Sequence, residues 1–522
     1  MRCGPLRRLA AASLGLVAVA LVLAGCATPA DATWTPPAWS LPAAVRVTAP
    51  APLDPASVAN LTGQRIRNDA VGIAARWSLL PGSQALNGRL AGLVKDAVTA
   101  RATATKTRYT PAVFPTSAGL GDRGCVRGST LRPAAEVLTD PALGPAGPSG
   151  TAVTCDIVTA IGPFLGERMR VVTGDPAHVA SDASTLLYTN VATGEVTLAA
   201  QLWTAAAPAE LWDDVVDAMR RDAGSLSLAT IAPPDQAGAA AIRAALASTV
   251  AAPDGSLVIT LPPGFTAPEL VALGLPPTTE STSIAVGPSA SGPLTTPFAR
   301  QLVEAAGQAF AAPAAVPAGA ESVDCTLVPC VAMTYDDGPS DLSSAILDAA
   351  AKHHASVTFF WMGEKAAQYA GTIKRAVAEG HLVENHTWNH PHLTTLSPAA
   401  VTKQIKDTQA ALATAAGVTP KAFRPPYGQY NPGVLAAAGL PAILWDYDTL
   451  DWQGPADSVL IDRAVNGPSV GSIVLQHDIQ AVTGRVVGTV YDGLADRGFT
   501  LVNVQQLLGG KLPASGIVKS GR

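Results

Sequence analysis

The sequence predicts an α/β protein whose C-terminal third holds a parallel sheet, closed into a barrel or left open, behind a mixed α/β region. Two observations carry this. From residue 331 onward, seven short apolar runs alternate with segments of helical period, the pattern of strands joined by crossover helices. The polar residues of chemical interest fall at the ends of those runs, and such folds gather their functional groups at strand C-termini. Bulk composition agrees. Of 522 residues, 48% are hydrophobic and only 5% aromatic, so small aliphatic side chains must build the cores. At ~150 residues per domain the length suggests two to four domains. Charged residues make up 14% and the net charge is −5, which excludes the basic footprint of a nucleic-acid binder.

The first element sets the compartment. Arg2, Arg7 and Arg8 precede an uncharged apolar run over 9–23, too short for a comfortable membrane span, so residues 1–25 read as a secretory signal peptide. The tetrad Leu23-Ala24-Gly25-Cys26 resembles the bacterial lipobox. That resemblance implies cleavage before Cys26, lipidation of its thiol, and anchorage to the outer face of the cytoplasmic membrane. Loss of the three arginines takes the net charge from −5 to −8. Residues 26–64, opened by Cys26 and a stretch rich in Pro, Ala and Thr, are expected to form a flexible tether.

Of six cysteines, Cys3 is expected to leave with the signal and Cys26 would be lipidated. Cys125, Cys155, Cys325 and Cys330 remain, an even number in an oxidising compartment. Pairs Cys125–Cys155 and Cys325–Cys330 are expected, because each is close in sequence and lies within one region. The spacing lacks a CxxC pair, which argues against a Cys₄ metal site.

Residues 65–312 read as a mixed α/β accessory region. A strand over 71–80 ends at Pro81-Gly82, and Leu86, Leu90, Leu93, Val94 and Ala97 recur at helical spacing. Hairpins are expected from 151–161 with 168–173 and from 186–190 with 195–202; a helix is expected over 211–219 and a strand over 256–261. The runs 188–203 and 254–261 resemble an extracytoplasmic module found beside some bacterial cell-wall deacetylases and in a lysozyme-sensing anti-sigma factor. This implies a glycan- or lysozyme-binding module, with a plain spacer as the alternative. A Pro/Ala-rich stretch then marks a linker at 313–324.

The C-terminal region is expected to span 325–510, with a tail over 511–522. Its strands are expected at 331–335, 357–360, 382–385, 422–423, 442–445, 472–475 and 500–502, with helices near 341–352, 364–379, 398–416, 432–438, 456–466 and 482–496. After the first strand comes Asp336-Asp337, adjacent carboxylates that are costly to ionise together without a cation. After the third comes His386-Thr387-Trp388-Asn389-His390, an i, i+4 pair that one helical turn would aim at a single metal ion. Asp337 would be a third ligand, which leaves positions for water and substrate. Arg424-Pro425-Pro426-Tyr427-Gly428, Asp448-Thr449-Leu450-Asp451-Trp452 and Leu475-Gln476-His477-Asp478 follow the fourth, fifth and sixth strands. His381 and His392 flank the histidine motif and read as structural or as supports behind the ligands.

In this order the clusters resemble the five motifs of the NodB-like polysaccharide deacetylases, carbohydrate esterase family 4. The resemblance covers about a third of the chain and implies a distorted (β/α)₇ barrel. Position by position it implies Asp336 as catalytic base, and Asp337, His386 and His390 as ligands of one divalent metal, usually zinc, with cobalt or another divalent ion as alternatives. Arg424 would hold Asp336, and the Tyr427 backbone N–H would face the oxyanion. Asp451 would orient His477, the general acid. Trp452, Leu475 and Pro426 would shape the acetyl pocket. Tyr335 stands where Phe is commoner. The implied activity is removal of N-acetyl groups from cell-wall polysaccharide with release of acetate, peptidoglycan N-acetylglucosamine being the expected partner. The alternatives are a chitooligosaccharide deacetylase, an acetylxylan esterase, or a catalytically silent binding lipoprotein.

Overall fold

The computed structural model of the protein describes residues 42–522 apart from 59, 228 and 315. The expected signal peptide, Cys26 and most of the tether lie outside the described residues. Among the described residues no helix is long and apolar enough to cross a membrane.

The tether is expected to run to residue 64, yet Ala44–Val47 forms β1 and Thr62–Asn68 forms β2. Next come β3 (Ile73–Leu79) and α1 (Gln84–Thr105), whose Leu86, Leu90, Val94 and Val98 lie buried along one face. Each such side chain contributes about 1.5–3 kcal/mol of burial. Strands β4 (Gly150–Ile161), β5 (Phe164–Gly174), β6 (Val179–Asn190) and β7 (Glu195–Leu198) follow. They complete a six-stranded sheet in the order β2-β3-β4-β5-β6-β7, antiparallel except for β3–β4. Helices α2 (Ala207–Asp222) and α3 (Gln236–Ala247) then pack on a second, antiparallel sheet. Its strands are β8 (Val250–Ala251), β9 (Leu257–Leu261) and β10 (Thr282–Val286), and β1 closes its edge with Ala44 opposite Val286.

The C-terminal region begins at β11 (Cys330–Asp336), fully buried, followed by α4 (Ser343–Lys352), β12 (Thr358–Trp361), α5 (Ala370–Ala378), β13 (Leu382–Asn385), α6 (Pro398–Ala416) and α7 (Pro432–Ala438). After these come β14 (Ala442–Ile443), β15 (Tyr447–Asp448), α8 (Asp457–Asn466), β16 (Ile473–His477), α9 (Ala481–Asp496), β17 (Thr500–Leu501) and β18 (Ile517–Val518). Strands β13-β12-β11-β16-β15 run parallel. The barrel continues past β13 only through single bridges, Asn385 to Phe423 and Phe423 to Ala442. That weak fourth position is what distorts it. Residues 511–522, expected as a tail, contribute β18, which pairs with β14 and covers its open side.

Both expected disulfides are present, Cys125–Cys155 and Cys325–Cys330. The linker is packed down, because Gln506 Nε2 donates to the carbonyls of Ala318 and Glu321 at 2.8 and 3.0 Å. The accessory region docks on the barrel at the end where its strands begin. Tyr109 Oη donates to the Leu327 carbonyl at 2.6 Å, and Arg123 Nη2 to the Ala495 and Phe499 carbonyls. Leu327, Val328 and Cys330 join one apolar cluster with Ile66, Trp77 and Leu90. Since β11 then runs seven residues to Asp336, roughly 20 Å at ~3.3 Å per residue separates this docking surface from the end where the barrel strands finish.

Candidate active site

The first strand ends on two carboxylates, and the chain turns sharply there: Asp337 has φ 71°, a left-handed conformation that Asp tolerates better than most residues. This points the neighbouring carboxylates into one pocket. Asp336, 3% exposed, accepts from Arg424 Nη1 at 2.8 Å. Arg424 is fully buried at the end of the Phe423 bridge. It also donates to Thr334 Oγ1 at 2.7 Å and to the Ile443 and Leu444 carbonyls at 2.9 Å, and it lies over the Phe360 ring at 4.0 Å. Four hydrogen bonds leave the guanidinium one orientation, so Asp336 is fixed in turn.

The expected helical turn for the histidine pair is absent. His386 and His390 lie in the loop after β13, bent by left-handed residues at Thr387 (φ 71°) and His390 (φ 59°). Asn385 Oδ1 accepts the Thr387 N–H at 2.8 Å, and Gln404 Oε1 on α6 accepts the Trp388 N–H at 2.8 Å, which holds the loop. The i, i+4 spacing therefore works through a braced loop, with ring centroids 5.0 Å apart. His386 Nδ1 meets the Arg424 carbonyl at 2.8 Å. A carbonyl only accepts, so the proton sits on Nδ1 and Nε2 is left to coordinate.

Both Nε2 atoms stand 3.3 Å from Asp337 Oδ1, and this buried oxygen has no hydrogen-bond partner. A buried, orphaned carboxylate oxygen facing two imidazole nitrogens is a donor set of the kind that suits a divalent cation such as zinc. The three ligand atoms lie within 4.8 Å of one another. The electrostatics agree: burial alone would raise the Asp337 carboxyl, but His386, His390 and His477 hold it well below the ordinary carboxylate range. For His386, burial opposes protonation, and the Asp336 and Asp337 charges overcome it.

Across the pocket, β16 presents His477. Its Nδ1 lies 2.8 Å from Asp451 Oδ1, and its N–H donates to Asp451 Oδ2 at 2.7 Å. Asp451 is fully buried and also accepts from Thr483 Oγ1 at 2.7 Å. Burial would lower the imidazole pKa, but the Asp451 hydrogen bond and charge, with Asp336 and Asp337 behind them, raise it to about 9. Tyr427 takes a left-handed conformation (φ 59°) on the Pro425-Pro426 loop, and Trp452 and Tyr427 are about half exposed while Leu475 and Pro426 are buried. His381, by contrast, is a framework residue. Its Nδ1 accepts the Val357 N–H at 3.2 Å, and burial pushes it down to about 4.

Thr334, Gln404, Thr483 and Lys365, whose Nζ donates to the Asp337 carbonyl at 2.7 Å, were not foreseeable as site residues. Asp478 was visible beside His477 but had no expected role. The Tyr335 hydroxyl sits 2.7 Å from that of Tyr491 in the core, away from the ligands.

Residues 324–441 match the polysaccharide deacetylase family profile. The peptidoglycan-N-acetylglucosamine deacetylase PgdA of Listeria monocytogenes is 38% identical over 183 residues, 35% of this chain and 39% of that protein. The chain thus spans about two fifths of the length of this relative. A chitin deacetylase of a Pestalotiopsis species is 34% identical over 219 residues, 39% of this chain and 74% of that protein. Among solved structures, the peptidoglycan deacetylase PdaC of Bacillus subtilis is 36% identical with a TM-score of 0.34, over 35% of this chain and 91% of that one.

Proposed function

We propose that this chain, which belongs to the polysaccharide deacetylase family, hydrolyses N-acetyl groups of peptidoglycan N-acetylglucosamine and releases acetate. The observation that carries the reading is the meeting of three elements in one pocket: the Asp337–His386–His390 donor set, Asp336 locked by Arg424, and His477 locked by Asp451. An intact set of this kind favours an enzyme over a silent binding lipoprotein.

Asp337 Oδ1, His386 Nε2 and His390 Nε2 would hold the cation, for which we read zinc. When bound it supplies Lewis acidity to the acetyl carbonyl. Asp336 Oδ2, the oxygen not taken by Arg424, accepts the proton of the attacking water. The water oxygen bonds to the acetyl carbon, and the Tyr427 N–H donates to the oxyanion that develops. His477, kept protonated by Asp451, delivers its proton to the amide nitrogen as the C–N bond breaks, since an amine leaves readily only when protonated. Trp452, Leu475 and Pro426 wall the space for the acetyl methyl. The products are acetate and a glucosamine unit.

The choice of peptidoglycan rests on location. Cys26 and the lipobox-like tetrad place the enzyme, in our reading, on the outer face of the cytoplasmic membrane, where the wall is the nearest acetylated polymer. The wall-acting name of the Listeria relative supports it. The accessory region contacts the barrel at the end where its strands begin, and Tyr427 and Trp452 at the other end are about half exposed, which supports a spacer role. Acetate release from purified wall fragments, chitin oligomers and acetylated xylan tests the reading. The greatest kcat/KM is expected on wall fragments, with release abolished by a chelator and restored by zinc. Preference for chitin oligomers or xylan would reassign the substrate, and release that survives chelation would overturn the metal reading.

A further inference from the structure

We propose that Lys365 and Asp478 are positioning residues that hold Asp337 in the left-handed conformation from which its carboxylate meets His386 and His390. The inference rests on the reading of Asp337 as a metal ligand and concerns two residues for which that reading has no use.

Asp337 is the point at which the chain turns out of a buried strand with a positive φ, a backbone state that is unfavourable for an ordinary L-residue and persists where its surroundings dictate it. Two neighbours supply that constraint from opposite sides. From the β12 side, Lys365 Nζ donates to the Asp337 carbonyl at 2.7 Å, and the Met362 N–H donates to the Gly338 carbonyl at 2.8 Å. From the β16 side, the Asp478 N–H donates to the Asp336 carbonyl at 3.3 Å, and its carboxylate packs so tightly on the Gly338 Cα that no Cβ would fit there.

The Asp478 carboxylate is itself immobilised. It is fully buried, and its Oδ2 accepts from Trp361 Nε1 at 2.9 Å and from Ser343 Oγ at 2.5 Å. Ser340 Oγ, two residues beyond Gly338, donates to the Asp478 carbonyl. Asp478 Oδ1 has no hydrogen-bond partner and lies against the Gly338 Cα. A buried carboxylate with one bare oxygen is expensive unless its place in the structure requires it. Here it forms the wall that decides where Gly338, and hence Asp337, can run. Neither residue reaches the ligand atoms, so their effect is on geometry, as with the outer partners of other metal sites.

The test measures zinc affinity by competition with a chromophoric chelator and the visible spectrum of the cobalt-loaded full chain, together with thermal unfolding of the metal-free chain. Lys365→Met removes the donor and keeps the stem. It is expected to weaken zinc binding about ten- to hundredfold and to alter the cobalt spectrum, with metal-free unfolding unchanged. Lys365→Arg should recover most of the affinity. Asp478→Ala should weaken zinc binding and alter the cobalt spectrum as Lys365→Met does, with metal-free unfolding lowered because Trp361 and Ser343 lose their acceptor. Asp478→Asn, which keeps that acceptor, should stay near the parent. If Asp478→Ala does not fold, the Lys365 pair decides. Parent affinity and parent spectrum in Lys365→Met would overturn the inference alone. Failure of the unaltered chain to bind metal would overturn the proposed function, and this inference with it.

Discussion

The carbonyl oxygen of Arg424 lies 2.8 Å from His386 Nδ1, while the guanidinium of the same residue donates to Asp336. One buried residue thus sets the tautomer of a proposed metal ligand and the orientation of the proposed base. Replacing it separates these roles, because only the guanidinium is lost. Arg424→Met leaves Asp336 a buried, uncompensated carboxylate and two backbone carbonyls unpaired. Urea unfolding should show a stability loss of about 3–5 kcal/mol, and acetate release should be abolished. Arg424→Lys restores the charge but cannot reach Thr334, Ile443 and Leu444 together, so stability should recover partly and turnover very little.

In the proposed reaction Asp336 carries the proton transfer and is not part of the donor set, so its two readouts should diverge. Asp336→Asn keeps an oxygen for Arg424 and removes the basicity. Turnover should fall by about 10²–10⁴, while zinc affinity stays within a few-fold of the parent. Full activity in this variant would remove Asp336 from its role; a parallel collapse of metal binding would make it a ligand instead.

The acid side of the reaction has a pH signature. His477 is raised to about 9, and the Asp451 hydrogen bond and charge are the leading causes acting in that direction. The imidazole donates only in its protonated form, so kcat/KM should fall at high pH as His477 deprotonates. In Asp451→Asn the raising charge is gone while burial still lowers the pKa. The alkaline limb should then move to lower pH, toward or below the ordinary imidazole value near 6.5. An unshifted limb in a pH–rate profile of this variant would assign the acid elsewhere.

The residues proposed as ligands, base and acid were legible because each sits within a few residues of a strand end, so a local apolar run announces it. Asp336 ends β11 and Asp337 follows it directly, and His386 follows β13. What holds them was not legible, because it arrives from distant sequence. Gln404 braces the histidine loop from the middle of a helix, and Thr483 reaches Asp451 across 32 residues. The helical reading of the histidine pair failed for a related reason: a loop with two left-handed residues gives the same i, i+4 juxtaposition as a helical turn. In the accessory region, β1 was hidden because its partner β10 lies some 240 residues away and its own four residues look like tether.

A last prediction concerns stability rather than catalysis. Glu384, on β13 one turn of chain before the histidine loop, is 2% exposed, and its Oε2 accepts the Lys421 and Ala422 N–H groups at 2.7 Å. Burial pushes its carboxyl up to about 8, the backbone donors only partly opposing this. The folded-state value lies above the unfolded one, near 4.5, so the fold binds a proton that the unfolded chain has already released. This contribution is therefore most favourable below pH 4.5 and is lost as pH rises through 8. Glu384→Gln keeps a carbonyl acceptor for both N–H groups and cannot titrate. Relative to the parent, its urea midpoint should be similar or lower at pH 5, and its stability should gain by a few kcal/mol between pH 5 and pH 9. A difference between variant and parent that does not change over that range would mean that Glu384 is ionised in the fold throughout, with Lys421 and Ala422 fully compensating its burial.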